Sequence, residues 1–166
     1  MRAFRILGAT FTWLLLASAT NAAAQELSAA DTEAAFAAAG FTLQGSDWRS
    51  VCGRDDPSSS YGPGMIDTSG DFNGDGRPDA VITEGGSFCY GMAGMGFSIV
   101  SQQEDGTWKL MATDVGMPLF LPTMGADGWP DIAVGGPGFC FPVIRWDGSA
   151  YGLDRYEYEG AVCSPE

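Results

Sequence analysis

A mainly β domain of two antiparallel sheets with one short N-terminal helix is the fold class this sequence predicts, and three observations carry it. From Phe41 onward, short apolar runs alternate with glycine-rich turns, the texture of an all-β chain. A landmark series in the middle of the chain recurs 52 residues later. Ahead of both lies one alanine-rich stretch with helix start and stop signals.

The helix is read from its ends inward. Ser28 followed by Asp31 resembles an N-cap with an acidic residue at N3, and Gly40 is a natural stop. Between them Ala29 to Ala39 is rich in alanine, the best helix former. Phe36 and the following Phe41 are predicted to anchor this helix to the body of the domain.

The repeat supplies the strands. Asp75-Gly-Arg-Pro-Asp79 recurs as Asp127-Gly-Trp-Pro-Asp131. Each copy leads into a β-type run, Ala80-Val-Ile-Thr83 and Ile132-Ala-Val134. Each then passes a glycine pair and reaches Phe88-Cys89-Tyr90 or Phe139-Cys140-Phe141. Next comes a strand closed by Asp105-Gly106 or Asp147-Gly148, read as two-residue type I′ turns, with Trp108 or Tyr151 just beyond. Pro57 to Gly64 has the composition of an exposed loop before a strand at Met65 to Thr68.

Composition bounds the rest. Arg2 and Arg5 precede an apolar stretch from Ile6 to Ala19, and Ala22-Ala-Ala24 supplies small residues, the pattern of a secretory signal peptide over 1–24. The apolar run is too short to span a membrane, so no span is expected once the leader is removed. The remainder, 25–166, is long enough for one domain with a real core. It carries 6 basic and 21 acidic residues, because the leader holds two arginines and no acid, for a net charge of −15. Such a surface repels nucleic acid and anionic lipid. Periplasmic or secreted localisation follows, and Cys52, Cys89, Cys140 and Cys163 then read as two disulfides. Four cysteines allow three connectivities; local closure favours pairing in chain order.

The densest chemical signal is Asp71-Phe-Asn-Gly-Asp-Gly-Arg-Pro-Asp79. Oxygen-bearing side chains at Asp71, Asn73, Asp75 and Asp79, with the carbonyl of Arg77, suit a hard cation that takes six to eight oxygens, and they predict Ca²⁺. An EF-hand would need a Glu where Ile82 stands, and would continue into a helix rather than a β-branched run. The second copy replaces positions 71 and 73 by Thr123 and Gly125, so it is expected to keep the turn and to bind an ion weakly or not at all.

Asp71 to Ile82 resembles the loop and following strand of FG-GAP repeats, also called VCBS-type or integrin α-like propeller repeats. Pro130-Asp-Ile-Ala-Val-Gly-Gly-Pro-Gly138 resembles the other half of that motif. The resemblance implies Ca²⁺ at Asp71, Asn73, Asp75, Arg77 and Asp79, and blade-like sheets over repeats at about 65–115 and 119–163. Two copies cannot close a ring of blades, so an open, propeller-like pair of sheets is expected.

Histidine is absent, which excludes Ser-His-Asp and Cys-His catalysis and imidazole metal sites. The function expected is therefore a non-catalytic, calcium-binding interaction or structural module with a protein or glycan partner. The alternative is a glycan-active carboxylate enzyme of the cell envelope drawing on Glu84, Glu104, Glu157 or Glu159. Trp48, Trp108, Trp129 and Trp146 read as core or cross-strand residues, with a sugar-stacking surface as the alternative.

Overall fold

The computed structural model describes residues 26–165, so the predicted leader over 1–24 lies outside the described residues. The first element is helix α1, Ala29–Ala38. Ser28 caps it: the hydroxyl oxygen accepts from the Asp31 N–H at 3.1 Å and donates to the Asp31 carboxylate at 2.7 Å. At the other end Gly40 takes φ 80°. Its N–H donates to the Ala37 carbonyl, and the Phe41 N–H donates to the Phe36 carbonyl. That pair of bonds is a Schellman motif, which brings the residues flanking it into contact. Phe36 and Phe41 meet edge to face at 5.6 Å, and Phe36 also stacks on Trp48 at 4.6 Å.

Two antiparallel sheets follow. The first runs β1 (Thr42–Gln44), β2 (Asp47–Arg49), β3 (Gly62–Gly70), β4 (Asp79–Gly85), β5 (Met95–Gln102) and β6 (Trp108–Val115), in that spatial order. The second contains β7 (Met117–Met124), β8 (Pro130–Gly135), β9 (Phe141–Trp146), β10 (Tyr151–Tyr158) and β11 (Ala161–Val162), also ordered as in the chain. Both sheets are open. The mainly β class, the paired sheets and the single N-terminal helix of this length therefore stand as read from the sequence. A second helical turn, α2 (Ser87–Tyr90), was not foreseen.

Strand alternation sends successive β4 side chains to opposite faces, and both faces are covered. Ala80, Ile82 and Val100 pack with Ala35, Phe36 and Phe41 beneath α1. Val81, Phe97 and Ile99 pack with Trp129, Ile132, Val134 and Trp146 from the second sheet. The layers are helix, sheet, sheet, and β4 is buried from Asp79 through Glu84.

Disulfides join Cys52 to Cys89 and Cys140 to Cys163. The first ties the segment after β2 to α2, and the second ties the start of β9 to the segment after β11. Among the described residues no helix is long and apolar enough to cross a membrane.

The hairpins form where the Asp-Gly pairs predict them, but not as type I′ turns, which need positive φ at both residues of the pair. Gly106 and Gly148 have positive φ while Asp105 and Asp147 do not. At the first, the Gln103 N–H donates to the Thr107 carbonyl and the Gly106 N–H to the Gln103 carbonyl, a type I turn closed by a left-handed glycine. The Asp105 carboxylate accepts from the Thr107 N–H and hydroxyl and so stabilises this longer loop. Two consecutive positive φ values fall instead at Asp127 and Gly128, at 53° and 77°.

The helix is held by one side chain above all. Replacing Phe36 by alanine is expected to cost about 3–5 kcal/mol, the range for deleting a buried phenylalanine. Phe36→Leu should lose clearly less. Urea unfolding of both variants checks this; equal midpoints for Phe36→Ala and the parent would show that α1 is not part of the cooperative core.

Candidate functional site

The loop between β3 and β4 folds around its own carboxylates. Asp71 accepts backbone N–H groups from Gly74 (2.7 Å), Asp75 (3.0 Å) and Gly76 (2.9 Å). Asp75 accepts from the Asn73 side-chain amide at 2.9 Å and pairs with the Arg77 guanidinium at 2.5 Å. Asp79 turns away from the loop into the interior, where one oxygen accepts the Phe72 N–H at 2.8 Å. Among the described residues, no group of three or more His, Cys, Asp or Glu side chains is arranged to hold a metal ion. The Ca²⁺ expected at Asp71, Asn73, Asp75, Arg77 and Asp79 is therefore corrected. The acidic oxygens are engaged by backbone amides, an asparagine amide and a guanidinium, and Asp79 is directed into the core instead of toward a shared centre.

The loop's structural task is to dock Phe72. Its ring meets Phe120 of β7 at 4.9 Å, across the junction of the two sheets. Burial pushes the Asp79 carboxyl up to about 6; Asp75 and Asp71 add to this, while Ser101 and the Phe72 N–H pull the other way. The second Asp79 oxygen is buried without a hydrogen-bond partner among the described residues.

At the matching place in the second repeat, Asp131 is equally buried but differently satisfied. Arg145 forks onto both of its oxygens at 2.8 and 2.7 Å. Thr123 and Arg155 reach the second oxygen at 2.5 and 2.9 Å. The Arg145 hydrogen bonds hold this carboxyl far below the usual range, against burial, with help from Thr123 and Arg155. Arg155 also reaches Glu157 and Asp154.

The two repeat turns meet in space. A Cβ on Gly128 would lie 2.4 Å from the Asn73 carbonyl, so only glycine permits the loops to approach this closely. Beside that contact a cleft of about 380 Å³ opens between the sheets. Asn73, Asp75 and Arg77 form one wall and Asp127 lies on the facing turn, with Gln103 and Lys109 at the side. Trp129 and Trp146 form the floor. Trp146 donates its indole N–H to Asp127 at 3.2 Å, and the Lys109 ammonium sits 5.5 Å from the Trp146 ring centroid. Tyr151 packs against the same indole with ring centroids 5.5 Å apart. The cleft lies in the range of small-ligand sites, and its walls alternate donors with acceptors over an aromatic base.

A second polar cluster lies at the other end of β4. Glu84 is buried and accepts from the Ser50 N–H (2.9 Å), the Ser50 hydroxyl (2.5 Å), and the hydroxyls of Tyr61 and Tyr90. Burial, then the bond to Glu84, raises both tyrosines above their ordinary range. The Cys52–Cys89 bridge joins the chain next to Ser50 to the chain next to Tyr90, two of these donors. Of the other glutamates, Glu157 is bound to Arg155 in the second sheet, and Glu104 and Glu159 occupy exposed turns. The four are not brought to one place: they sit on β4, the β5–β6 turn, β10 and the turn after β10. Trp48 and Trp108 pack under α1, and Trp129 and Trp146 are core.

Sequence reading placed the loop but missed the Arg145–Asp131–Arg155 network and the Glu84 cluster, because both join side chains far apart in the chain. Compared with family models, curated proteins and solved structures, the chain finds no match in any of the three.

The Asp79 carboxyl titrates near 6 when folded against an ordinary 3.8, so the folded state binds the extra proton between those values. Its contribution to stability is full below the lower value and is lost as pH rises through the upper one. The melting midpoint of Asp79→Asn should thus fall less than the parent's between pH about 4.5 and about 7; parallel curves would remove Asp79 as the cause. For Asp131, Arg145→Met with Arg155→Met should destabilise by about 3–5 kcal/mol by leaving a buried carboxylate without cations. Adding Asp131→Asn should recover most of that loss in urea unfolding.

Proposed function

We propose that this chain is an exported, non-catalytic binding module whose ligand seats in the cleft between its two sheets. The observation that carries this reading is the cleft itself, about 380 Å³ and framed by the turn loops of both repeats. Its frame is stiff. Asp71 organises one loop through three backbone bonds, and the Gly128 contact locks that loop against the other. Binding to a preformed site loses little free energy to ordering.

The groups within the cleft favour holding over catalysis. Asp75 is neutralised by Arg77, and Asp127 is engaged by the Trp146 indole. Paired carboxylate catalysis needs one acid and one base free to face a scissile bond. The predicted leader and the two disulfides support a periplasmic or secreted setting. The FG-GAP resemblance supports a scaffold that presents loops at one end of paired sheets, without the ion.

The test is backbone amide chemical-shift mapping on the mature protein with fractionated envelope glycans, peptides and small anions. Shifts concentrated at Asn73, Arg77, Lys109 and Asp127 are the expected result. A panel in which no component perturbs those residues would overturn the reading, as would turnover of any bound glycan.

A further inference from the structure

One cation at the cleft is not tied to a carboxylate among the described residues. Among the described residues, Arg49, Arg77, Arg145 and Arg155 each pair with a carboxylate. Lys109, the chain's single lysine, has no such pairing and rests on the Trp146 face. Its side chain is exposed, whereas the other groups around that indole are fixed: Trp129 and Tyr151 by packing and Asp127 by its hydrogen bond. Trp146 is only 5% exposed: it packs in the core between the sheets, and Lys109 lies over its ring on the cleft side. A lysine over an indole at an exposed position is a weak interaction, so the ammonium leaves at small cost.

We infer that the cleft takes an uncharged saccharide, and that Lys109 is a displaceable cover whose departure gives a pyranose ring the Trp146 face. This names the ligand class of the binding-module reading and rests on it. Charge argues for the class. Arg77 and Lys109 balance Asp75 and Asp127, so the charged side chains lining the cleft sum to zero, and the acidic surface around it disfavours an anion. Sugar hydroxyls both donate and accept, and the walls supply both partners: Asp127 and the Gln103 side-chain carbonyl accept, and the Arg77 guanidinium donates. A pyranose also carries an apolar C–H face, which suits an indole. Size agrees as well, since a cleft of about 380 Å³ suits one or two rings and not a protein surface.

The experiment is a titration of the mature protein with neutral oligosaccharides, a zwitterionic dipeptide and inorganic phosphate, read by tryptophan fluorescence and calorimetry. Parent, Lys109→Ala and Asp127→Asn are compared. Neutral saccharide should change the fluorescence of the parent. Lys109→Ala should bind it about two- to five-fold more tightly, since the competing cation is gone. Asp127→Asn should weaken it. Tighter binding in Lys109→Ala is a gain that misfolding does not produce. If dipeptide or phosphate shifts the cleft residues and saccharide does not, the saccharide assignment fails while the module stands. If none of the three probes binds, both fail. Saccharide binding that Lys109→Ala leaves unchanged or weakens overturns the cover.

Discussion

The molecule depends on β4 being covered on both faces. A strand buried this way must be apolar along its length, and Ala80 to Ile82 meets that condition. Its two ends are not apolar. Asp79 opens the strand toward the second sheet and Glu84 closes it toward the helix side, both almost completely buried. A buried carboxylate needs donors, and each recruits a loop to supply them. Asp79 draws in the Phe72 N–H, and with it the turn that docks onto Phe120 and borders the cleft. Glu84 draws in Ser50, Tyr61 and Tyr90, and so the disulfide-tied loop on the opposite end. The strand thereby organises loops as well as layers.

The two repeats solve one problem in two ways. Asp79 and Asp131 occupy corresponding places, and both are inaccessible to solvent. Asp131 stays ionised because Arg145 and Arg155 from neighbouring strands converge on it. Asp79 has no cation and holds its proton more tightly. The difference is one of location. Sheet two presents its carboxylate on a face not covered by another layer, where long arginine stems can lie over it with their heads partly hydrated. Asp79 is sandwiched between the sheets, where a guanidinium would have to be dehydrated.

What could be read from the sequence tracks the range of the interactions. The helix was legible because its cap, its stop and its alanine content are all local, and Ser28 and Gly40 act as those signals indicate. Strand positions at Ala80 to Thr83 and Ile132 to Val134 were legible from β-branched runs. The turn types were not, because an Asp-Gly pair fits either a two-residue turn or a longer one, and strand register decides between them. The spacing of Asp71 to Asp79 shows which oxygens are available but not where they point. Backbone amides in the same loop compete for them, and that competition decides against the ion. The cleft was invisible for a different reason. Its walls come from residues as far apart as Asn73 and Trp146, and only the packing of sheet on sheet unites them.

The close approach at Gly128 fixes how the two repeats meet. Its backbone contact with Asn73 leaves no room for a side chain, so the spacing between the two turns is set by main chain rather than by adaptable side-chain packing. A spacing set in that way persists whether or not a ligand is present. The acidic loop then keeps a role without a metal: Asp71 holds three amides inward, and the closed turn can press its carbonyl against the neighbouring repeat. In sequence the two acidic turns look like one motif copied and partly lost. In the folded chain they are unlike halves of one opening, one built around carboxylates and the other around glycine.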